Sequence, residues 1–156
     1  MKTKVETVSQ RNSRNQSRSL HLIDIENLLG RGKVTKEQVS WARKLYITHV
    51  PAAEHDLFMV AAGPHNRKEV VEGWPGAIYR FWRGADGADL ALIGFYQELG
   101  KAREIKHLFI GSGDNKFSTV AHLATQSGIR TTVVLGVGKK SWKLRAESSI
   151  SLLGGE

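Results

Sequence analysis

The chain predicts an α/β fold, with a mostly parallel sheet of about five strands and helices on both faces. Two observations carry this expectation. Short apolar runs alternate along the chain with segments of helical spacing, the order that builds parallel sheets. The runs are also continuous, as in "HLFIG" at 107–111, which suits strands covered on both sides.

The elements follow in order. "LHLIDI" (20–25) is a first strand. "TKEQVSWARKLYITHV" (35–50) is a helix. Thr35 and Gln38 form a capping-box pair, and Val39, Ala42, Leu45 and Tyr46 recur at helical spacing. "DLFMVAA" (56–62) is a strand closed by Gly63-Pro64, and "AIYRFW" (77–82) is another. "GADLALIGFYQELG" (87–100) is a helix with Leu92, Phe95, Tyr96 and Leu99 turned to the core and Gly100 at its end. "KHLFIG" (106–111) is a strand, "FSTVAHLATQSG" (117–128) a helix and "IRTTVVLG" (129–136) a fifth strand. "KSWKLRAESSISLL" (140–153) reads as a last helix, or a helix and short strand. There is no internal repeat.

Composition narrows the function. The 156 residues carry 23 basic and 15 acidic side chains, a net charge of +8, and no cysteine. Disulfides and thiolate metal sites are therefore excluded, and a cytoplasmic protein is expected. No apolar run approaches the ~18 residues of a membrane span, and no secretory signal opens the chain. A basic surface attracts phosphate polymers, although such charge is also often merely solvated. Residues 1–18 are poor in large apolar side chains and rich in Ser, Asn, Gln and Arg. They are expected to form a disordered basic arm that adds phosphate contacts without specificity, with the folded domain spanning 19–156.

In open α/β sheets, sites form beyond the carboxyl ends of the strands. Asp24, Glu26 and Asn27 follow the first strand. Asp86 and Asp89 follow the strand at 77–82, and Ser112 and Asp114 follow the strand at 106–111. Converging carboxylates repel one another, and a hard divalent cation, Mg²⁺ or Mn²⁺, removes the repulsion. Such an ion can activate water against a phosphodiester. Simpler roles exist for each residue alone. Asp114 can cap the following helix, Asp89 can favour a helix dipole, and Asn27 can serve a turn.

These residues also form recognisable motifs. "LIDIENLLG", "RGADGADLALIG" and "IGSGDNKFSTVAHLATQSG" resemble, in order and spacing, the NYN-domain family of PIN-like nucleases, over about residues 20–150. The matching positions are Asp24 and Asn27, then Gly87-Ala88-Asp89 with Leu92, then Ser112-Gly113-Asp114 with Phe117. The resemblance implies a PIN-like, Rossmann-related three-layer sandwich and a Mg²⁺- or Mn²⁺-dependent endoribonuclease. Asp24, Asp89 and Asp114 would be metal ligands, with Asn27 and Ser112 orienting ligands, water or phosphate. Asp24, Asn27, Asp89 and Asp114 thus form the expected catalytic set.

Two positions depart from the family pattern. Many members have a second acid in Ser-Gly-Asp-x-Asp-Phe, where this chain has Lys116, and another six residues after the middle aspartate, where it has Phe95. A bacterial subgroup sharing "DGADLAL" also lacks the second acid. Fewer acids mean weaker binding and one ion rather than two. Lys116 could stand in for a cation beside Asp114 and contact phosphate, or point to solvent. Glu26 and Asp86 are possible auxiliary acids.

In "KKSWKLR" (139–145), Lys139, Lys140, Lys143 and Arg145 surround Trp142. This pattern suits phosphate contact and base stacking, or a solvated helix face anchored by Trp142 in the core. Trp74 and Trp82 are expected to pack, and the six histidines show no metal-ligand spacing. A haloacid-dehalogenase-type phosphatase would need Asp-x-Asp where "DIEN" offers Asp24 and Glu26. The expected function is RNA hydrolysis by a metal-activated water. The alternative is a catalytically weak or inactive module that binds RNA or protein.

Overall fold

A computed structural model describes residues 18–83, 85–102 and 105–153; the side chains of residues 84–90 and 100–104 are outside that description. So is all of the expected basic arm except Arg18. Six strands, not five, form one wholly parallel sheet: β1 (Ser19–Asp24), β2 (Leu57–Ala62), β3 (Ile78–Phe81), β4 (His107–Gly111), β5 (Arg130–Leu135) and β6 (Ser148–Ser151). Their order is β3-β2-β1-β4-β5-β6. This is the Rossmann-like order, and it reverses direction between β1 and β4. The helices are α1 (Ile25–Leu29), α2 (Lys36–His49), α3 (Arg67–Gly73), α4 (Ala85–Ala102) and α5 (Ser118–Gln126), with 3₁₀ turns at Pro64–Asn66 and Asn115–Phe117. None of the described helices is long and apolar enough to cross a membrane.

Side-chain alternation sorts the strands between two cores. Leu20, Leu22, Leu108 and Ile110 face Leu92, Phe95, Tyr96 of α4 and Val120, Ala121, Ala124 of α5. Ile23, Val60 and Phe109 face Val39, Ala42 and Tyr46 of α2 and Val70 of α3. The capping box at α2 is complete. The Thr35 hydroxyl accepts from the Gln38 N–H, and the Gln38 side chain accepts from the Thr35 N–H. Trp74 packs as expected, and Trp82 lies partly buried against the α4–α5 side.

Two local expectations are corrected, and a third is extended. Ile25 opens α1 instead of ending β1. Gly63-Pro64 closes β2 as expected, and Pro64 also begins the turn leading into α3, because proline suits the first helical position. Residues 140–147 form turns and loop, and 148–151 pair with β5 as an edge strand. The expected terminal helix is absent there.

His21 is also placed by the sheet. It points from β1 into the α2 side, stacked between Phe58 and Phe109 at 4.3 and 4.7 Å. A carboxylate can only accept, so Nε2–H donates to Asp56 (2.9 Å) and the Tyr46 hydroxyl donates to Nδ1 (2.7 Å). Burial pushes the imidazole below its ordinary 6.5, against the pull of Asp56. Its stabilising effect is therefore complete above about pH 6.5 and is lost as pH falls below it. Burial works to raise Asp56, but hydrogen bonds from His21, Ala53 and Ser19 outweigh it, so its carboxyl lies low and its contribution is lost in stronger acid. Melting temperature should fall from pH 7 to 5, and the slope should be shallower in His21→Gln, which can keep the bond to Asp56 without titrating. Parallel slopes would contradict this.

Candidate active site

The switch point lies where β1 and β4 run side by side, Ile23 opposite Gly111. The next residues are Asp24, the last of β1, and Ser112, the first beyond β4. Parallel register therefore brings them together, and the Ser112 hydroxyl donates to Asp24 Oδ2 at 3.1 Å. Both are buried, Asp24 being only 4% exposed. Ser112 Oγ in turn accepts from the Asp114 N–H at 3.0 Å. Asp24 Oδ1 accepts from the Asn27 N–H at 3.3 Å and so also caps α1. Asp114 Oδ1 accepts from the Lys116 N–H at 2.8 Å and caps the 3₁₀ turn. The simple capping role is real and still leaves Asp114 Oδ2 free to face Asp24's neighbour.

That neighbour is Lys116. Its side chain is 15% exposed and does not run out to solvent. Nζ lies 3.0 Å from Asp24 Oδ2 and 3.9 Å from Asp114 Oδ2. Burial raises the Asp24 carboxyl above its ordinary range, and Lys116, Asn27 and Ser112 only partly offset it. Two carboxylates thus converge on one positive charge. Oxygen donors of this kind fit a hard divalent cation, which could take the position if the ammonium withdrew. Among the described residues no three acids or histidines gather as a metal site. Asp86 and Asp89 fall on α4, in the stretch whose side chains lie outside the description. That helix packs against the turn carrying Lys116, with Leu92, Phe95 and Phe117 in one buried cluster.

The other expected residues have distinct places. Asn27 uses both ends of its carboxamide within the protein: Oδ1 accepts from the Gly113 N–H at 2.8 Å, and Nδ2 donates to the Lys139 carbonyl at 3.2 Å. It ties together the loops after β1, β4 and β5. Glu26 is turned toward the β2 end, where Oε2 accepts from the Gly63 N–H and Asn66 Nδ2 at 2.7 and 2.8 Å. It does not stand in for the missing acid beside Lys116. Phe95 is a buried wall residue, with the Arg80 guanidinium 5.1 Å from its ring centroid.

Lys139, Lys140, Lys143 and Arg145 are all exposed on the loop 136–147. Trp142 is 74% exposed, so it does not anchor a helix in the core; Leu144 is the buried anchor. The loop is seated tightly. Gly138 N–H donates to the Asn27 carbonyl at 2.8 Å, and Ser141 N–H to the Gly113 carbonyl at 2.6 Å. A Cβ on Gly138 would stand 2.2 Å from the Asn27 carbonyl oxygen, and one on Gly113 2.6 Å from that of Lys139. Glycine is required at both positions for the backbones to approach. Sequence reading missed this docking. The "GVG" at 136–138 was its available signal.

No family model, curated protein or solved structure matches the chain. The functional reading therefore rests on the site itself and on the motif resemblance.

Proposed function

We propose that the chain is a Mg²⁺- or Mn²⁺-dependent ribonuclease of the NYN/PIN-like type, acting on cytoplasmic RNA. The observation that carries this reading is the convergence of Asp24 and Asp114 on one cationic position at the switch point of a basic chain. Asp24, Asp89 and Asp114 are the residues assigned to hold the ion. When bound, such an ion lowers the pKa of water and offsets charge on a phosphodiester. Ser112 holds Asp24 by its hydroxyl, and Asn27 fixes the loops that frame the site. Lys116, once released from Asp24, is a cation available to phosphate. Lys139, Lys140, Lys143 and Arg145 extend the positive surface along the neighbouring loop.

Labelled single-stranded RNA incubated with Mn²⁺ tests this. The wild type should cleave it and Asp114→Asn should not. No cleavage by the wild type, or equal cleavage by the variant, would end the proposal.

Lys116 favours a second reading. Its ammonium already compensates Asp24, so the site could be complete without an ion and serve an RNA-binding or protein-interaction module. That reading requires salt-sensitive RNA binding, or capture of a protein, without turnover and with no thermal shift on adding Mn²⁺.

A further inference from the structure

Trp142, at 74%, is the most exposed of the large apolar side chains among the described residues; Trp41 is the other exposed tryptophan, at 49%. Tryptophan is highly buried on average. The loop that presents Trp142 is seated on the domain, with the Ser141 N–H donating to the Gly113 carbonyl, the Lys139 carbonyl accepting from Asn27, and Leu144 buried. Ser141 immediately precedes Trp142, and Gly113 immediately precedes Asp114. The indole is therefore carried one residue from a direct bond to the loop that bears a proposed metal ligand. Lys143 Nζ lies 5.6 Å from the Trp142 ring centroid. Lys139, Lys140 and Arg145 are exposed on the same loop.

We infer that Trp142 is a stacking platform for an unpaired base of the RNA bound at the adjacent site. This inference rests on the reading of that site as an RNA site. The chemistry favours a nucleic acid over a protein partner because the indole has a lysine ammonium beside it, shares its loop with three further exposed cations, and is tied to the loop that carries Asp114. A duplex hides its base faces in its own stack, whereas a single strand can offer one to an indole. The lysines hold phosphates irrespective of sequence, and Trp142 supplies the contact that distinguishes a base from bare backbone.

Fluorescence anisotropy in EDTA, where no cation-dependent cleavage occurs, tests this separately from the nuclease reading. The probes are a labelled single-stranded oligoribonucleotide, the same sequence as a duplex, and an abasic strand of equal length. Trp142→Ala should weaken single-strand binding about tenfold and change duplex and abasic binding less than about twofold. Trp142→Phe should recover most of the loss. Lys143→Ala should instead weaken all three and reduce the salt slope by about one. The inference is overturned if Trp142→Ala leaves single-strand binding unchanged, if it weakens all three probes alike, or if the wild type binds no single strand. Any of these with Mn²⁺-dependent cleavage intact would remove the platform and leave the nuclease reading standing.

Discussion

Asparagine in place of Asp24 is expected to abolish cation-dependent cleavage while leaving the protein at least as heat-stable as the wild type. Asp24 combines deep burial with a carboxyl whose pKa is raised by that burial. For a raised carboxyl the sign is clear. Stability is greatest below the ordinary value of 3.8 and declines as pH rises through the higher folded value. The charge at neutral pH therefore costs folding free energy, as is common where function requires a strained site. Asparagine is neutral and keeps an oxygen able to accept from the Asn27 N–H or the Ser112 hydroxyl. Lys116 retains Asp114 as a partner. Loss of outer-shell partners typically costs a metal site about 10–100-fold, and loss of a ligand should exceed that. A large fall in melting temperature, or retained cleavage, would contradict this assignment.

Methionine in place of Lys116 should have the opposite effect on stability. The stem remains while the charge disappears, so Asp24 keeps its burial and loses its nearest cation. Breaking a buried pair by removing one partner costs about 3 kcal/mol or more. For a domain of this size that corresponds to roughly 6–12 °C in melting temperature. Adding Mn²⁺ should restore the loss by mass action, with tighter binding than in the wild type, because no ammonium must be displaced. Combining Lys116→Met with Asp24→Asn should recover stability without metal. That non-additivity is expected of residues in direct contact. A Lys116→Met protein as stable as the wild type, and indifferent to Mn²⁺, would break the link.

What the sequence could disclose was mostly local. The capping box at Thr35 and Gln38 involves residues three apart, and both of its bonds are present. The apolar runs that became β1, β2, β4 and β5 are buried nearly throughout. Asp24 and Ser112 could be brought together because parallel register fixes which residues follow adjacent strands. Features that depend on distant partners stayed hidden. The direction of Lys116 is set by Asp24, far upstream, and local pattern left it open. At 140–153 the short strand that the sequence allowed is present at 148–151, paired with β5, while the helix read beside it is replaced by turns and loop at 140–147. Trp142 could be either packed or presented until Leu144 was seen to take the buried place. Glu26, an available acid by sequence, is taken up by Gly63 and Asn66.

Diffraction from crystals grown with Mn²⁺, recorded at the manganese absorption edge, would most directly test whether Asp24 and Asp114 share a cation position. The expected result is one anomalous peak bonded by both carboxylates, with Lys116 Nζ withdrawn from Asp24. An ammonium still seated on Asp24, with no peak between the two carboxylates, would contradict it.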